Sequence, residues 1–170
     1  MDVGAPSIRD ERAGDIGAIR AVVAAAFAGH PHSRQTEHHI VDALRAADAL
    51  SLSLVAERDG EVLGHVAFSP VAIGDGSPGW YGLGPVAVAP AQQRHGIGRA
   101  LIEAGLARLR ALDAAGCVVA GDPAYYARFG FAANADLRYP GLPPEYFMAL
   151  PLAGASARGE VAYHAAFDLA

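Results

Sequence analysis

The segment from Val86 to Leu109, VAVAPAQQRHGIGRALIEAGLARL, constrains the fold of this chain more than any other part of its sequence. An apolar run stops at Pro90, a polar loop with two glycines follows, and an amphipathic pattern begins at Ile97. Proline lacks the N–H that a strand interior needs, and glycine frees a loop backbone. The segment therefore predicts a strand, a turn and a helix that ends at about Leu112.

The predicted helix has one apolar side and one charged side. Its apolar side is formed by Ile97, Leu101, Gly105, Leu109 and Leu112. A glycine within a helix costs about 1 kcal/mol relative to alanine. We expect close approach of the helix backbone to a sheet at Gly105 to compensate, which would hold the helix N-terminus in a fixed place.

That N-terminus has the composition of an anion site. The first amides of a helix have no internal acceptor, and the helix dipole adds partial positive charge. Gly96 and Gly98 let several amides approach one anion, and Arg94, His95 and Arg99 add basic side chains nearby. Such a turn suits a phosphate or pyrophosphate. Glycine turns are also common as purely structural elements, so this segment alone leaves both interpretations open.

Two nucleotide-binding motifs fit poorly. All 13 basic residues are arginine, so the phosphate loop that requires a lysine is absent. The dinucleotide pattern is met formally by Gly82, Gly84 and Ala87, but Pro90 follows too soon for a helix to start there. A nicotinamide-dependent oxidoreductase is therefore a weak hypothesis.

The chain before this segment predicts a strand over Ser7–Asp10, two helices and a β-hairpin. Asp15 is placed to cap the first helix, and Thr36 is placed to cap the second. The hairpin is predicted to turn at Asp59–Gly60.

The chain after this segment predicts a buried strand, a short helix near Pro123 and two closing strands. Gly84-Pro85 should mark a bulge or a point where neighbouring strands part. The whole pattern favours a single α/β (α+β) domain over residues 1–170. We expect about four helices flanking a mixed, mostly antiparallel sheet of about seven strands.

Two motifs carry a family resemblance. Gln93 to Gly98, QRHGIG, fits the pattern [QR]-x-x-G-x-[GA], and Tyr125 to Phe131, YYARFGF, follows about 30 residues later in the expected order. The sequence resembles the GNAT superfamily of acyl-CoA-dependent N-acetyltransferases, and GDPAYYARFGF resembles a branch of predicted bacterial acetyltransferases. The resemblance covers roughly Ile8 to Leu152.

The resemblance implies a GNAT-like fold with acetyl-CoA as co-substrate. Its pantetheine arm would lie between two splayed strands, and an N–H near Val88 would polarise the thioester carbonyl. Arg128 is a candidate to reach the phosphates of CoA, and a solvated side chain on a short helix is the alternative. The expected cofactor-binding residues are Val86, Ala87, Val88, Arg94, His95, Gly96, Ile97, Gly98, Arg99, Ala100, Tyr126 and Arg128.

The resemblance also implies that acetyl-CoA and an amine acceptor react directly in a ternary complex, without a covalent enzyme intermediate. Tyr126 occupies the position of the general acid that protonates the leaving thiolate. Many family members take the amine proton with a glutamate on the central strand, but WYGLGPVAVAP contains no acid. His65 is the first candidate for this catalytic role, and Glu57 is the other; a structural role is the alternative for each. The missing acid motivates an alternative function, a catalytically silent acyl-CoA-binding or regulatory module.

Net charge, hydropathy and cysteine content restrict the kinds of partner and compartment that we expect. The net charge of −5 argues against nucleic acid, and no apolar run reaches the length of about 20 residues that crosses a bilayer. The single cysteine, Cys117, lies in an apolar run, predicts a packing role and favours a reducing cytoplasm. The expected partner is a small-molecule or peptide amine. A homodimer through the last strands is a further possibility that no particular residue supports.

No metal site is predicted. His30, His32, His38 and His39 lie in or near the loop between the first two helices, but their spacing is not that of strong ligands. Surface exposure is the favoured interpretation. The resemblance implies that this loop lines the acceptor pocket, where these histidines would shape specificity.

Overall fold

The structure, a computed structural model, describes residues 4–154 and 156–169. Within them the α-helices are α1 (Ile16–Phe27), α2 (Glu37–Ala46), α3 (Ile97–Ala111) and α4 (Pro123–Tyr126). The strands are β1 (Ser7–Asp10), β2 (Leu52–Arg58), β3 (Glu61–Pro70), β4 (Ala72–Ile73), β5 (Trp80–Val88), β6 (Gly116–Ala120), β7 (Leu137–Arg138), β8 (Phe147–Pro151) and β9 (Gly159–Ala162).

The strands form a six-stranded sheet and a small three-stranded one. The large sheet has the order β1-β2-β3-β5-β6-β8, antiparallel except between β5 and β6, and the small sheet has the order β4-β9-β7. The predicted mixed, mostly antiparallel fold is confirmed, as is the hairpin turn at Asp59–Gly60. Sequence analysis missed β4 and β7, because two residues are too few to show a strand period.

Helices cover both faces of the large sheet. α3 packs on one face, where Leu101 and Leu109 share a buried cluster with Phe68 of β3. α1 packs on the other face, where Val23 shares a cluster with Ala87 of β5. A Cβ on Gly105 would clash with the Phe68 ring. The close approach predicted for this glycine is therefore confirmed.

The central strand β5 is irregular at Gly84-Pro85. Val86 pairs with Val66 of β3, but Leu83 pairs with Phe68, so β5 bulges between them, as predicted. β5 also pairs with β6 only from Trp80 to Gly82. The two strands part beyond that point, which opens a gap along the second half of β5.

Asp15 and Thr36 occupy the N-cap positions of α1 and α2, as predicted, but neither side chain makes a capping hydrogen bond. The Asp15 carboxylate accepts the Arg12 amide at 2.7 Å and pairs with Arg9 at 2.7 Å, and it makes no capping hydrogen bond to α1. The Thr36 hydroxyl is buried without a hydrogen-bond partner and does not cap α2. A nearby guanidinium is a stronger partner for the Asp15 carboxylate than a neutral amide, and its hydrogen bond lowers the pKa of Asp15 to about 2.

Cys117 is fully buried in the core of β6, and burial raises the pKa of its thiol. The packing role predicted for it agrees with this position. Among the helices of the described residues, none is long and apolar enough to span a bilayer.

Candidate active site

The start of α3 is built as a rigid, glycine-based turn. Arg94 and Gly96 have positive φ angles of 67° and 82°, a backbone region that glycine enters freely. The first helical hydrogen bond runs from the Ala100 amide to the Gly96 carbonyl at 3.0 Å. The amides of Ile97, Gly98 and Arg99 precede this bond, so they have no intrahelical acceptor.

Two contacts hold this turn in place. The side chain of Ile97 is buried beside β3, where its Cγ2 would lie 3.1 Å from a Cβ on Gly64. The side-chain amide of Gln93 donates to the carbonyl of Val88 at 3.1 Å, which ties the loop to the end of β5. The free amides are therefore fixed next to the gap between β5 and β6.

A cleft of about 810 Å³ lies at this turn. It is lined by most of the predicted cofactor-binding residues: Val86, Val88, Arg94, Gly96, Ile97, Gly98, Arg99, Tyr126 and Arg128. The lining also includes residues that sequence analysis did not assign to the cofactor: Ala26, Phe27, His30, Gln93 and Tyr125.

Three predicted cofactor residues do not line the cleft. Ala87 is buried on the opposite face of β5, in the cluster under α1. His95 is exposed and lies beside Gln92 in a separate surface depression. Ala100 is half-buried in the first turn of α3.

Tyr126 lies at the wall of the cleft in an aromatic setting. Its ring centroid is 5.1 Å from that of Tyr125 and 6.0 Å from that of Phe131, both edge-on, and the ring also covers Gly121. Burial raises the pKa of Tyr126 to about 12. The phenol is therefore protonated near neutral pH and can donate a proton or a hydrogen bond into the cleft.

Three arginines make the cleft cationic. Arg99 forms an exposed ion pair with Glu103 at 2.9 Å within α3. Arg128 stacks over the Tyr125 ring, with its Cζ 4.5 Å from the centroid, and donates to the Tyr125 carbonyl at 2.9 Å. Together with Arg94, these side chains give the cleft the charge of an anion-binding site on an acidic protein.

His65 lies elsewhere. Its paired neighbours Val55 and Ala87 belong to the cluster under α1, so its side chain lies beneath the large sheet, on the face that α1 covers. It is fully buried in β3 between Val55 and Ala87, and its Nε2 shares a 2.8 Å hydrogen bond with the Ser53 hydroxyl. That hydroxyl in turn donates to the Glu11 carboxylate. Burial lowers the pKa of His65 to about 4, so the ring is neutral at pH 7. The structure therefore does not bring His65 together with Tyr126.

The other candidate base, Glu57, also lies away from the cleft. Its carboxylate forms an ion pair with Arg9 between the first two strands. Of the loop histidines, His30 lines the cleft, whereas His32, His38 and His39 are not among the described residues that line it. Among the described residues, the structure contains no cluster of His, Cys, Asp or Glu that could hold a metal ion.

Comparison with known proteins decides the family. Residues 19–131, more than half of the chain, match the profile of the Acetyltransferase (GNAT) family. The chain belongs to the GNAT family. The match includes β5, the glycine turn, α3 and the Tyr126 segment.

Two solved GNAT structures share the whole fold. One is a GNAT family acetyltransferase from Brucella melitensis in complex with acetyl-CoA, with 54% identity, a TM-score of 0.87, and coverage of 98% of this chain and 100% of that one. The other is the N-acetyltransferase YhbS from Escherichia coli in complex with CoA, with 36% identity, a TM-score of 0.88, and coverage of 99% and 95%.

The curated sequence of YhbS from Escherichia coli, described as an uncharacterized N-acetyltransferase, is 44% identical over 105 residues. That alignment covers 60% of this chain and 63% of YhbS. The aligned part is thus less than two thirds of the relative's length.

Proposed function

We propose that this chain transfers the acetyl group of acetyl-CoA directly to an amine, in a ternary complex. The observation that carries the proposal is that the free amides at the start of α3 open into the same cationic cleft as the protonated phenol of Tyr126. The structural relatives in complex with acetyl-CoA and CoA support the choice of co-substrate.

The diphosphate of CoA would bind at the α3 turn. The amides from Ile97 to Arg99 supply hydrogen bonds without charge, and Arg94 and Arg99 supply charge from the same side of the cleft. Arg128, stacked on the ring of Tyr125, also lines the cleft. The anion thus meets donors that have no competing acceptor inside the helix.

The acyl arm would lie in the gap between β5 and β6. The Ala89 amide donates to the Leu63 carbonyl of β3 at 2.8 Å. Backbone donors alternate along a strand, so the amides of Val86 and Val88 point away from β3, toward the side that β6 has left. An amide in that position can polarise a thioester carbonyl in the way an oxyanion hole does.

The chemistry then needs one proton donor for the thiol. The amine nitrogen attacks the thioester carbon, the carbon–sulfur bond breaks, and Tyr126 protonates the departing thiolate. The phenolate regains its proton from the acylated nitrogen through solvent. The role in proton transfer predicted for His65 stays a prediction, and its place beneath the sheet gives it no direct contact with the cleft.

A thiol-release assay tests the proposal. Acetyl-CoA is incubated with the enzyme and a panel of primary amines, peptide N-termini and lysine side chains, and free CoA is measured over time. We expect amine-dependent release with at least one acceptor and formation of its acetamide. Binding of acetyl-CoA without turnover on any acceptor would favour the silent CoA-binding module, and absence of binding would contradict both.

Dimerisation through the last strands also stays a prediction.

A further inference from the structure

The cleft offers few groups that can take a proton. Its titratable side chains belong to three arginines, two tyrosines and one histidine: Arg94, Arg99, Arg128, Tyr125, Tyr126 and His30. No carboxylate is among the described residues that line it. Yet an acceptor amine reaches the site largely as an ammonium ion and must lose a proton before its nitrogen can attack.

Elimination leaves a single group for that step. A guanidinium stays protonated in proteins and cannot accept a proton. Burial raises the pKa of both Tyr125 and Tyr126, so these phenols are proton donors near neutral pH. A neutral imidazole has one ring nitrogen with a free lone pair, so histidine can accept a proton. Among the described residues that line the cleft, only His30 therefore has the chemistry of a base.

The fold holds His30 at the cleft with a short turn. Its amide donates to the Phe27 carbonyl at the end of α1 at 3.1 Å, and its carbonyl accepts the Ser33 amide at 3.1 Å. Gly29 between them has a φ of +72°, which allows the chain to reverse. The imidazole packs edge-on against the Phe27 ring, with 6.0 Å between centroids. The ring is exposed and shares the cleft with Val88.

We propose that His30 is the general base that deprotonates the acceptor amine, a role that rests on the proposed acetyl transfer. The imidazole takes one proton from the ammonium and later releases it to solvent. The neutral nitrogen forms its bond to the acyl carbon, the bond to sulfur breaks, and Tyr126 supplies the thiol proton. The second nitrogen proton restores the phenol, so one free proton, one amide and one thiol result.

Histidine substitutions test this role with a matched control. His30→Gln keeps a polar side chain that cannot take up a proton. His32→Gln changes an exposed histidine of the same loop, with its ring 6.3 Å from that of His30, that does not line the cleft. Both are compared with the wild type in thiol release. One acceptor is a simple alkylamine, protonated at pH 7, and the other is trifluoroethylamine, which is mostly neutral at that pH.

A base leaves a specific pattern in these rates. With the alkylamine we expect His30→Gln to lower kcat/KM about 100-fold, the low end for general-base catalysis, and added imidazole to restore part of the loss. With trifluoroethylamine the loss should stay below about fivefold, because its nitrogen is already neutral and no proton has to be removed before it attacks. His32→Gln should match the wild type. An equal loss with both amines, or no loss with the alkylamine, would overturn the proposal.

A second measurement separates this proposal from the proposed function. The imidazole resonance of His30 is followed by NMR while acetyl-CoA is added to the intact protein. We expect it to shift at saturation while that of His32 stays in place. A resonance that does not move would overturn the role of His30 even if turnover is normal. Failure of wild-type turnover on every amine would count against acetyl transfer itself.

Discussion

The cleft and the polar network beneath the sheet both contain polar groups, but they differ in how these groups are paired. In the cleft, the first amides of α3 have no internal acceptor, and the phenol of Tyr126 is part of the wall. Beneath the sheet, His65, Ser53 and Glu11 are linked by hydrogen bonds to one another. The network leaves only the Nδ1 atom of His65 without a partner among its buried polar atoms.

The difference shows what a binding site needs. Donors that are already paired inside a protein have little to offer a ligand, whereas unpaired donors at a surface cleft gain from binding one. The buried network instead joins β2, β3 and the segment after β1, where Arg45 of α2 also binds Glu11 at 2.8 and 3.0 Å. We therefore assign stability to the network and chemistry to the cleft, and the following experiments separate the two.

Lowering the pH should reduce the stability of the protein through the buried network. The pKa of His65 is lowered to about 4, whereas an unfolded histidine titrates near 6.5, so the unfolded state binds more protons between these values. Stability should therefore fall as pH drops through this window, by roughly 3 kcal/mol in total. Urea unfolding from pH 7 to pH 4 measures this loss.

The matched variants isolate that pH effect. Burial opposes ionisation of Glu11, but hydrogen bonds from Arg45 and Ser53 lower its pKa overall, so its charge persists through most of the window. His65→Gln should flatten the pH dependence, and His32→Gln should leave it intact. A wild-type slope in the His65 variant would mean that another group is responsible.

Removal of the Tyr126 hydroxyl should affect the cleft alone. Tyr126→Phe keeps the ring packing but removes the proton donor, so we expect kcat to fall about 100-fold. The affinity for acetyl-CoA, measured by calorimetry, should change less than threefold. Because the pKa of Tyr126 is raised to about 12, wild-type activity should show no alkaline decline from this group below about pH 10. Equal turnover in the variant would remove Tyr126 from the mechanism.

Removal of the Ser53 hydroxyl should affect the network alone. Ser53→Ala leaves both the Glu11 carboxylate and Nε2 of His65 without that partner, in a setting where unpaired groups are costly. We expect a loss of about 2 kcal/mol in the free energy of unfolding, with kcat/KM within threefold of wild type. A large loss of kcat in a protein that still unfolds cooperatively would show that the network acts in catalysis.

The smallest effect should come from a single charge in the cleft. Arg94→Gln removes an exposed cation beside the α3 turn, and we expect the Kd for acetyl-CoA to rise about fivefold. The increase should be smaller at high salt, because salt screens the attraction between exposed charges. Arg110→Gln, on the exposed side of α3 away from the cleft, is the control with the same change in charge. Equal effects of the two variants would indicate only a general electrostatic attraction.

Local patterns in the sequence predicted several structural features of the protein. The glycine turn, the close approach at Gly105 and the bulge at Gly84-Pro85 follow from residues that are adjacent along the chain or lie on one side of one helix. Their physical causes, a positive φ, a missing Cβ and a missing N–H, are properties of single residue types. Such features can be predicted without knowledge of the tertiary fold.

Contacts between distant segments could not be predicted in this way. His65 suited proton transfer by its chemistry and position in a strand, but only the pairing of β3 with β2 shows that Ser53 binds it and that it is fully buried. The sequence could not separate His30 from the other histidines of its loop, and the packing of α1 beside β5 is what places it at the cleft. Burial, rather than residue type, separates these two histidines.

We propose that the amides around Gly96 and Gly98 bind the diphosphate of acetyl-CoA. The most direct test follows their backbone amide resonances by NMR during titration with acetyl-CoA, and with acetyl-pantetheine, which has the thioester but no diphosphate. We predict large shifts of both glycine amides with acetyl-CoA and little change with acetyl-pantetheine. Unchanged glycine amides at saturating acetyl-CoA, with shifts elsewhere in the protein, would contradict the claim.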